Sequence, residues 1–250
     1  MIDFHSHVLP MIDDGAHDIE MSLEMLRESK RQNVNTVVAT PHCYITDEKK
    51  LEHYIQKREK SFTELKNAIE ESGEDLPQIK LGCEVRMMKE IENVELLRPL
   101  CIENTDYILI EMPSGKWNIN DYDALYRILL KGMKPVMAHI ERFWDQKDEY
   151  DNLYSLDLLY QINAEALLRR PYKSIVPKLF EAGAVQVMGS DMHNMEGRKT
   201  RMSEAAQKII QIYGADRIEY MMDNARKVLN NEKVERKSFE KLSFFEKLKI

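Results

Sequence analysis

The sequence predicts an α/β fold of parallel strands, either a closed barrel or an open doubly wound sheet, on three observations. Seven short apolar runs alternate with segments of helical pattern, and strands each followed by a helix pair in parallel through right-handed crossovers. The 250 residues, 43% hydrophobic and 32% charged, fit one domain with a large core, and single α/β barrels reach this length. Nearly every residue able to bind a metal falls at the carboxyl end of a run, the face on which barrel enzymes carry their sites.

The predicted strands are Ile2 to His5, Asn35 to Thr40, Ile79 to Glu84, Tyr107 to Met112, Pro135 to His139, Leu159 to Ala164 and Ala184 to Ser190. Between them, Ile19, Leu23 and Leu26 recur at helical spacing, as do the apolar residues of Tyr54 to Glu71 and Tyr122 to Leu130. Pro171 to Ala182 reads as a further helix stopped by Gly183. After Asp223 the pattern changes. Asn230-Asn231-Glu232 punctuates, and residues 231–250 form a charged amphipathic tail carrying Phe239, Leu242, Phe244, Phe245 and Leu248.

Composition narrows the function classes. A net charge of -7 argues against non-specific nucleic-acid binding through a broad basic surface. No basic region precedes an apolar stretch and no 18-residue apolar run occurs, so neither a secretory signal nor an integral membrane segment is expected and the location reads as cytoplasmic. Cys43, Cys83 and Cys101 are odd in number and lack Cys-x-x-Cys spacing, which predicts reduced thiols rather than a disulfide framework.

The polar residues carry the chemistry. In a strand, His5 and His7 of Met1-Ile2-Asp3-Phe4-His5-Ser6-His7 point the same way with Ser6 turned away, so both imidazoles can grip one ion. Asp13-Asp14-Gly15 follows in a turn that can bend a carboxylate back over the mouth. His42, Glu84, Glu111, His139, Asp191 and His193 sit at the ends of later strands. Five imidazoles and four carboxylates, with no thiolate among them, suit manganese, iron or zinc better than magnesium or calcium. With shared bridges they could fill about three open sites. Such a cluster attracts an anion, and Arg142 and Arg198 add fixed charge whose planar fork matches phosphate oxygens. Metals lower the pKa of water, so a bridging hydroxide is available for in-line attack at phosphorus. The competing cysteine mechanism needs Cys-x-x-x-x-x-Arg, and the residues six after the cysteines are Lys49, Lys89 and Tyr107. A Gly-rich phosphate cradle is missing too.

The set His5-Ser6-His7, Asp14-Gly15, Thr40-Pro41-His42, Glu84, Ile110-Glu111, Ala138-His139-Ile140-Glu141-Arg142 and Ser190-Asp191-Met192-His193-Asn194 resembles the polymerase and histidinol phosphatase (PHP) family. It is more similar still to the manganese-dependent capsule and exopolysaccharide type of protein-tyrosine phosphatases of Gram-positive bacteria. The resemblance spans residues 1–230 and implies a distorted seven-stranded (β/α) barrel of PHP type with three divalent ions. On its pattern His5, His7, Glu84 and Asp191 hold one metal, Glu84, Glu111 and His139 a second, and Asp14, His42 and His193 a third. Cys43 and Tyr44 depart from relatives that continue with a second His or Arg. The implied substrate is a phosphotyrosine protein, a bacterial tyrosine kinase foremost, with self-association into an oligomer also allowed. The alternatives are a small-molecule phosphoesterase such as histidinol phosphatase and a non-catalytic, metal-stabilised module that binds a kinase. An amidohydrolase also begins with His-x-His, but its usual bridging lysine is missing.

Overall fold

A computed structural model describes residues 1–44, 47–87, 94–146 and 156–238. The apolar runs form strands β1 (Ile2–Ser6), β2 (Thr36–Ala39), β3 (His42–Cys43), β4 (Gln78–Leu81), β5 (Glu84–Arg86), β6 (Tyr107–Glu111), β7 (Lys134–Met137), β8 (Leu159–Asn163) and β9 (Val187–Gly189). All pairings are parallel, in a three-stranded sheet β1-β2-β4 and a six-stranded sheet β3-β5-β6-β7-β8-β9. The fold is therefore α/β with parallel strands, but among the described residues it divides into nine strands in two sheets instead of the expected seven.

The difference has a local cause. The second expected strand is followed, after a break at Thr40-Pro41, by the short β3, and the third is interrupted at Gly82-Cys83. Proline has no N–H for the ladder, and the Gly82 and Glu84 amides reach across to the Ala39 and Pro41 carbonyls at 2.8 and 3.0 Å. Helix α2 (Glu48–Ser72) seals both breaks from outside: Tyr54 donates to the Pro41 carbonyl at 3.2 Å, and buried Arg58 donates to the Gly82 carbonyl at 3.2 Å and to that of Pro99.

The sheets also meet through β1 and β9. Asp191 N–H donates to the His5 carbonyl at 2.8 Å, His7 N–H donates to the Met192 carbonyl at 2.9 Å, and Ser6 and Met192 form a parallel bridge. Gly189 makes this approach possible, because a Cβ there would lie 2.4 Å from His5 Cβ.

The helices start where their caps dictate. Helix α1 (Ile19–Arg31) is capped by Asp18, which accepts from Met21 N–H at 2.8 Å, and buries Leu23, Met25 and Leu26. Asp47 caps α2, so that helix begins before the predicted Tyr54. A capping box of Asn118 and Asp121 opens α3 (Ile119–Leu130). The predicted helix from Pro171 is shorter, α4 (Val176–Glu181), with a separate turn at Arg170–Tyr172. Two helices follow, α5 (Met202–Tyr213) and α6 (Ala215–Leu229), the second running through the expected change of pattern at Asp223. The tail then returns to the body. Val234 is buried, Tyr107 Oη donates to the Glu232 carbonyl at 2.6 Å, and Arg236 donates to the carbonyls of Leu156 and Leu158. These contacts cross the amino ends of β6 and β8. The tail's apolar residues from Phe239 onward lie outside the described residues.

Candidate metal centre

All nine expected ligands gather at the opposite mouth, the carboxyl end of the strands. His5 and His7 project from β1 to one face, while Ser6 turns away and donates to the Val38 carbonyl at 2.9 Å. Glu84 opens β5 in register with His42 rather than ending a strand, so it lies deeper than expected. Only 1% exposed, it reaches His139 Nε2 at 2.8 Å, His42 Nδ1 at 2.9 Å, His5 Nε2 at 3.2 Å and His7 Nε2 at 3.4 Å. Glu111 ends β6 and stands 3.7 Å from His139 Nε2. His139 and Asp191 follow β7 and β9 with positive φ of 33° and 55°. Non-glycine residues so placed store of order 1 kcal/mol or more and cluster at functional sites.

Asp14 is largely exposed, its Oδ1 lying 3.4 Å from His193 Nε2 and 3.6 Å from His42 Nε2. Its neighbour Asp13, not among the expected ligands, has the more buried side chain, 5% exposed. Asp13 accepts from His7 Nδ1 at 2.7 Å, from His42 N–H at 2.9 Å and from Gly15 N–H at 3.0 Å. Burial raises its pKa, but these hydrogen bonds and the His7 charge bring it down to about 2. Arg86, which the sequence did not single out, and Tyr44, noted there only as a departure from relatives, also border the site. Arg86 pairs with Glu111 at 3.0 Å, and Tyr44 stacks on His42 with ring centroids 4.9 Å apart.

The rings are arranged for a cation rather than for one another. His5 Nδ1 faces Gln161 Oε1 at 3.1 Å, His7 Nδ1 faces Asp13, and His193 Nδ1 faces the Asp191 carbonyl at 3.0 Å. These oxygens only accept, so in the neutral ring the proton sits on Nδ1 and the Nε2 lone pair is exposed to the site. Yet His5 Nε2 and His7 Nε2 stand 3.1 Å apart, with Glu84 Oε2 and Asp191 Oδ1 within 3.7 Å of both. Lone pairs and carboxylates packed so closely repel unless positive charge lies among them. Glu84 Oε2 and His193 Nε2 are moreover buried without a hydrogen-bond partner. The donor set fits divalent metal. Ligand atoms of His5, His7 and Glu84, of His7, Asp14, His42 and His193, and of His42, Glu84 and Glu111 lie within 4.8 Å of one another in each group.

Protonation shows the same demand. Burial opposes charge on His5, but Glu84 and Asp191 outweigh it and lift the ring above its ordinary range. Burial likewise opposes ionisation of Glu84, and the surrounding histidines hold it well below the usual carboxylate range. His193 goes the other way, driven by burial and by His7 down to about 3. Two guanidiniums complete the mouth. Arg142 pairs with Asp191 Oδ2, and Arg198 lies 3.0 Å from Asp191 Oδ1 and 3.7 Å from Asp14 Oδ2. Both arginines keep more than a third of their side chain in solvent, at 38% and 39%.

Comparison with known proteins agrees with this geometry. The family model described as "Capsular polysaccharide synthesis, CpsB/CapC" matches residues 1–230. The tyrosine-protein phosphatase CpsB of Streptococcus agalactiae is 30% identical over 244 residues, covering 92% of this chain and 99% of that protein. The tyrosine-protein phosphatase YwqE of Bacillus subtilis is 30% identical over 246 residues, covering 94% and 93%. A solved structure from a study of YwqE of Bacillus subtilis and CpsB of Streptococcus pneumoniae, described as unique metal-dependent tyrosine phosphatases, superimposes with a TM-score of 0.79. Its sequence is 28% identical, and the match covers 97% of this chain and 100% of that one. With a family model spanning nearly the whole chain and full-length relatives to match, the chain belongs to the CpsB/CapC family of capsular polysaccharide synthesis.

Proposed function

We infer that this protein is a metal-dependent protein-tyrosine phosphatase of capsule or exopolysaccharide synthesis. The observation that carries the reading is the convergence of five imidazoles and four carboxylates on one mouth, with two guanidiniums at its rim. Family membership and relatives named as tyrosine phosphatases give that mouth its substrate.

Three divalent ions, manganese before iron or zinc, would be held by His5, His7, Glu84 and Asp191, by Glu84, Glu111 and His139, and by Asp14, His42 and His193. When bound, such ions lower the pKa of water, make hydroxide available near neutral pH and offset phosphate charge. The chain's own residues do the rest. Arg142 and Arg198 present forks to the phosphate oxygens, where charge spreads during phosphoryl transfer. Asp13 fixes the His7 ring through its Nδ1 proton. All three cysteines are buried thiols, which suits a mechanism without a thiolate.

On the same reading the fold is a seven-stave PHP barrel. β2 with β3 and β4 with β5 count as two interrupted staves, and the hydrogen bonds between β1 and the turn after β9 close the ring. Residues 1–230 form the phosphatase domain and 231–250 an appended segment. The proposed location is the cytoplasm and the proposed substrate a phosphorylated tyrosine kinase. Among the described residues no helix is long and apolar enough to cross a membrane.

The deciding assay strips the protein with EDTA and follows phosphate release from a phosphotyrosine peptide and from histidinol phosphate. Loss of peptide turnover on chelation and its return with Mn²⁺ are expected. Turnover indifferent to EDTA, or a preference for histidinol phosphate, would overturn the reading.

A further inference from the structure

β8 carries no histidine or carboxylate, and Glu165, two residues past its end, pairs with Arg169, whereas His139 and Asp191 stand two residues past the ends of β7 and β9 as candidate ligands. It brings two buried amides instead, Gln161 and Asn163, which share one face of the strand by their i, i+2 spacing. Gln161 Oε1 accepts from His139 N–H at 2.8 Å and faces His5 Nδ1 at 3.1 Å. Gln161 Nε2 donates to Asn163 Oδ1 at 2.9 Å, and Asn163 Nδ2 donates to Asp191 Oδ2 at 2.8 Å.

The direction of this chain is forced from both ends. A backbone N–H can only donate, so the Gln161 atom that receives it is the carbonyl oxygen. A carboxylate accepts, so the Asn163 atom that meets Asp191 is the amide nitrogen. With both amides oriented, His5 has only an acceptor to face and must carry a proton on Nδ1. Its Nε2 is thereby kept for the site. One pair of amides thus acts on three candidate ligands from three separate parts of the chain: the His5 ring, the His139 backbone at its left-handed turn, and the Asp191 carboxylate.

We propose that Gln161 and Asn163 are positioning residues that set the His5 tautomer and the Asp191 carboxylate for metal binding. The proposal rests on the metal-centre reading above. Outer partners of metal ligands typically change affinity by about 10- to 100-fold when removed.

The test uses the full-length protein stripped of metal and titrated with Zn²⁺ against a chromophoric chelator. Ring-nitrogen NMR of the Zn²⁺-loaded protein follows the His5 Nδ1 proton. Gln161→Met, close in volume but without the acceptor, should weaken the tightest Zn²⁺ step by about 10- to 100-fold and lose the protected Nδ1 proton signal. Gln161→Glu keeps the acceptor oxygen toward His5 but loses the donor to Asn163 Oδ1, so it should restore the Nδ1 proton signal. Asn163→Ala should weaken Zn²⁺ while leaving the His5 signal in place. Wild-type affinity in Gln161→Met, or an Nδ1 proton signal as absent in Gln161→Glu as in Gln161→Met, would overturn the proposal and leave the metal centre standing. If Gln161→Met does not fold, Asn163→Ala decides alone, and wild-type affinity there overturns the Asp191 half of the chain of bonds and with it the proposal. A wild-type chain that takes up no Zn²⁺ would sink the metal-centre reading itself and this proposal with it.

Discussion

Arg142→Ala should cost activity far more than stability. The guanidinium pairs with the buried Asp191 carboxylate, and a buried pair broken on one side commonly costs about 3–5 kcal/mol. Two features of this pair reduce that figure. Arg142 is 38% exposed, so solvent screens it as it does surface pairs, worth up to about 1 kcal/mol. Asp191 also keeps Arg198 at 3.0 Å and the Asn163 amide at 2.8 Å, so its charge is not abandoned. For a protein of this size 1 kcal/mol shifts Tm by about 2–4 °C, which bounds the expected drop. The catalytic loss is set by transition-state charge. Removing one preorganised donor costs about 10² or more in kcat/KM, roughly 3 kcal/mol. Lysine should rescue only part, because it offers charge without the fork. Melting temperature, metal content and kcat/KM on a phosphotyrosine peptide are measured on one preparation. A Tm drop well above about 6 °C with turnover per folded molecule kept would show that Arg142 holds the fold together instead.

Glu84→Ala should release more metal than His42→Ala, since Glu84 touches four imidazoles; equal retention by elemental analysis would refute the bridging role. Iodoacetamide should leave turnover intact, because burial pushes the Cys83 thiol well above its ordinary range and that of Cys101 up to about 11; inactivation that a Cys→Ser variant escapes would point to a thiol in the mechanism. Gly189→Ala should part β1 from β9, since its Cβ would stand 2.7 Å from the His5 nitrogen, and should lower Tm and metal uptake together; a variant with wild-type Tm would show that the strands can separate cheaply.

The sequence made most strands legible because they are apolar runs, and it made the nine candidate ligands legible because His and acidic residues at strand ends are conspicuous against such runs. It was less informative where geometry depends on a break. Pro41 and Gly82 interrupt two strands and so bury Glu84 in register with His42, which no periodicity announces. In Asp13-Asp14 the two carboxylates are equivalent as letters, and only the turn decides that Asp13 goes inward to His7 while Asp14 stays out. Gln161 and Asn163 were invisible for another reason. Amides inside an apolar strand carry no metal-ligand pattern, and their partners lie 22 to 156 residues away along the chain. Helices α5 and α6 carry weak start signals, since neither Arg201 nor Gly214 at their amino ends makes a side-chain cap hydrogen bond.

The seam between β1 and β9 bears on how such a protein is made. Ser190 N–H donates to Asp3 Oδ1 across 187 residues, beside the ring of His5. During synthesis the amino-terminal histidines therefore leave the ribosome long before Asp191 and His193 exist, and β1 has one edge unpaired throughout. Contacts so distant in sequence slow folding. A nascent chain therefore holds only part of the candidate ligand set, and the set comes together only when the seam shuts.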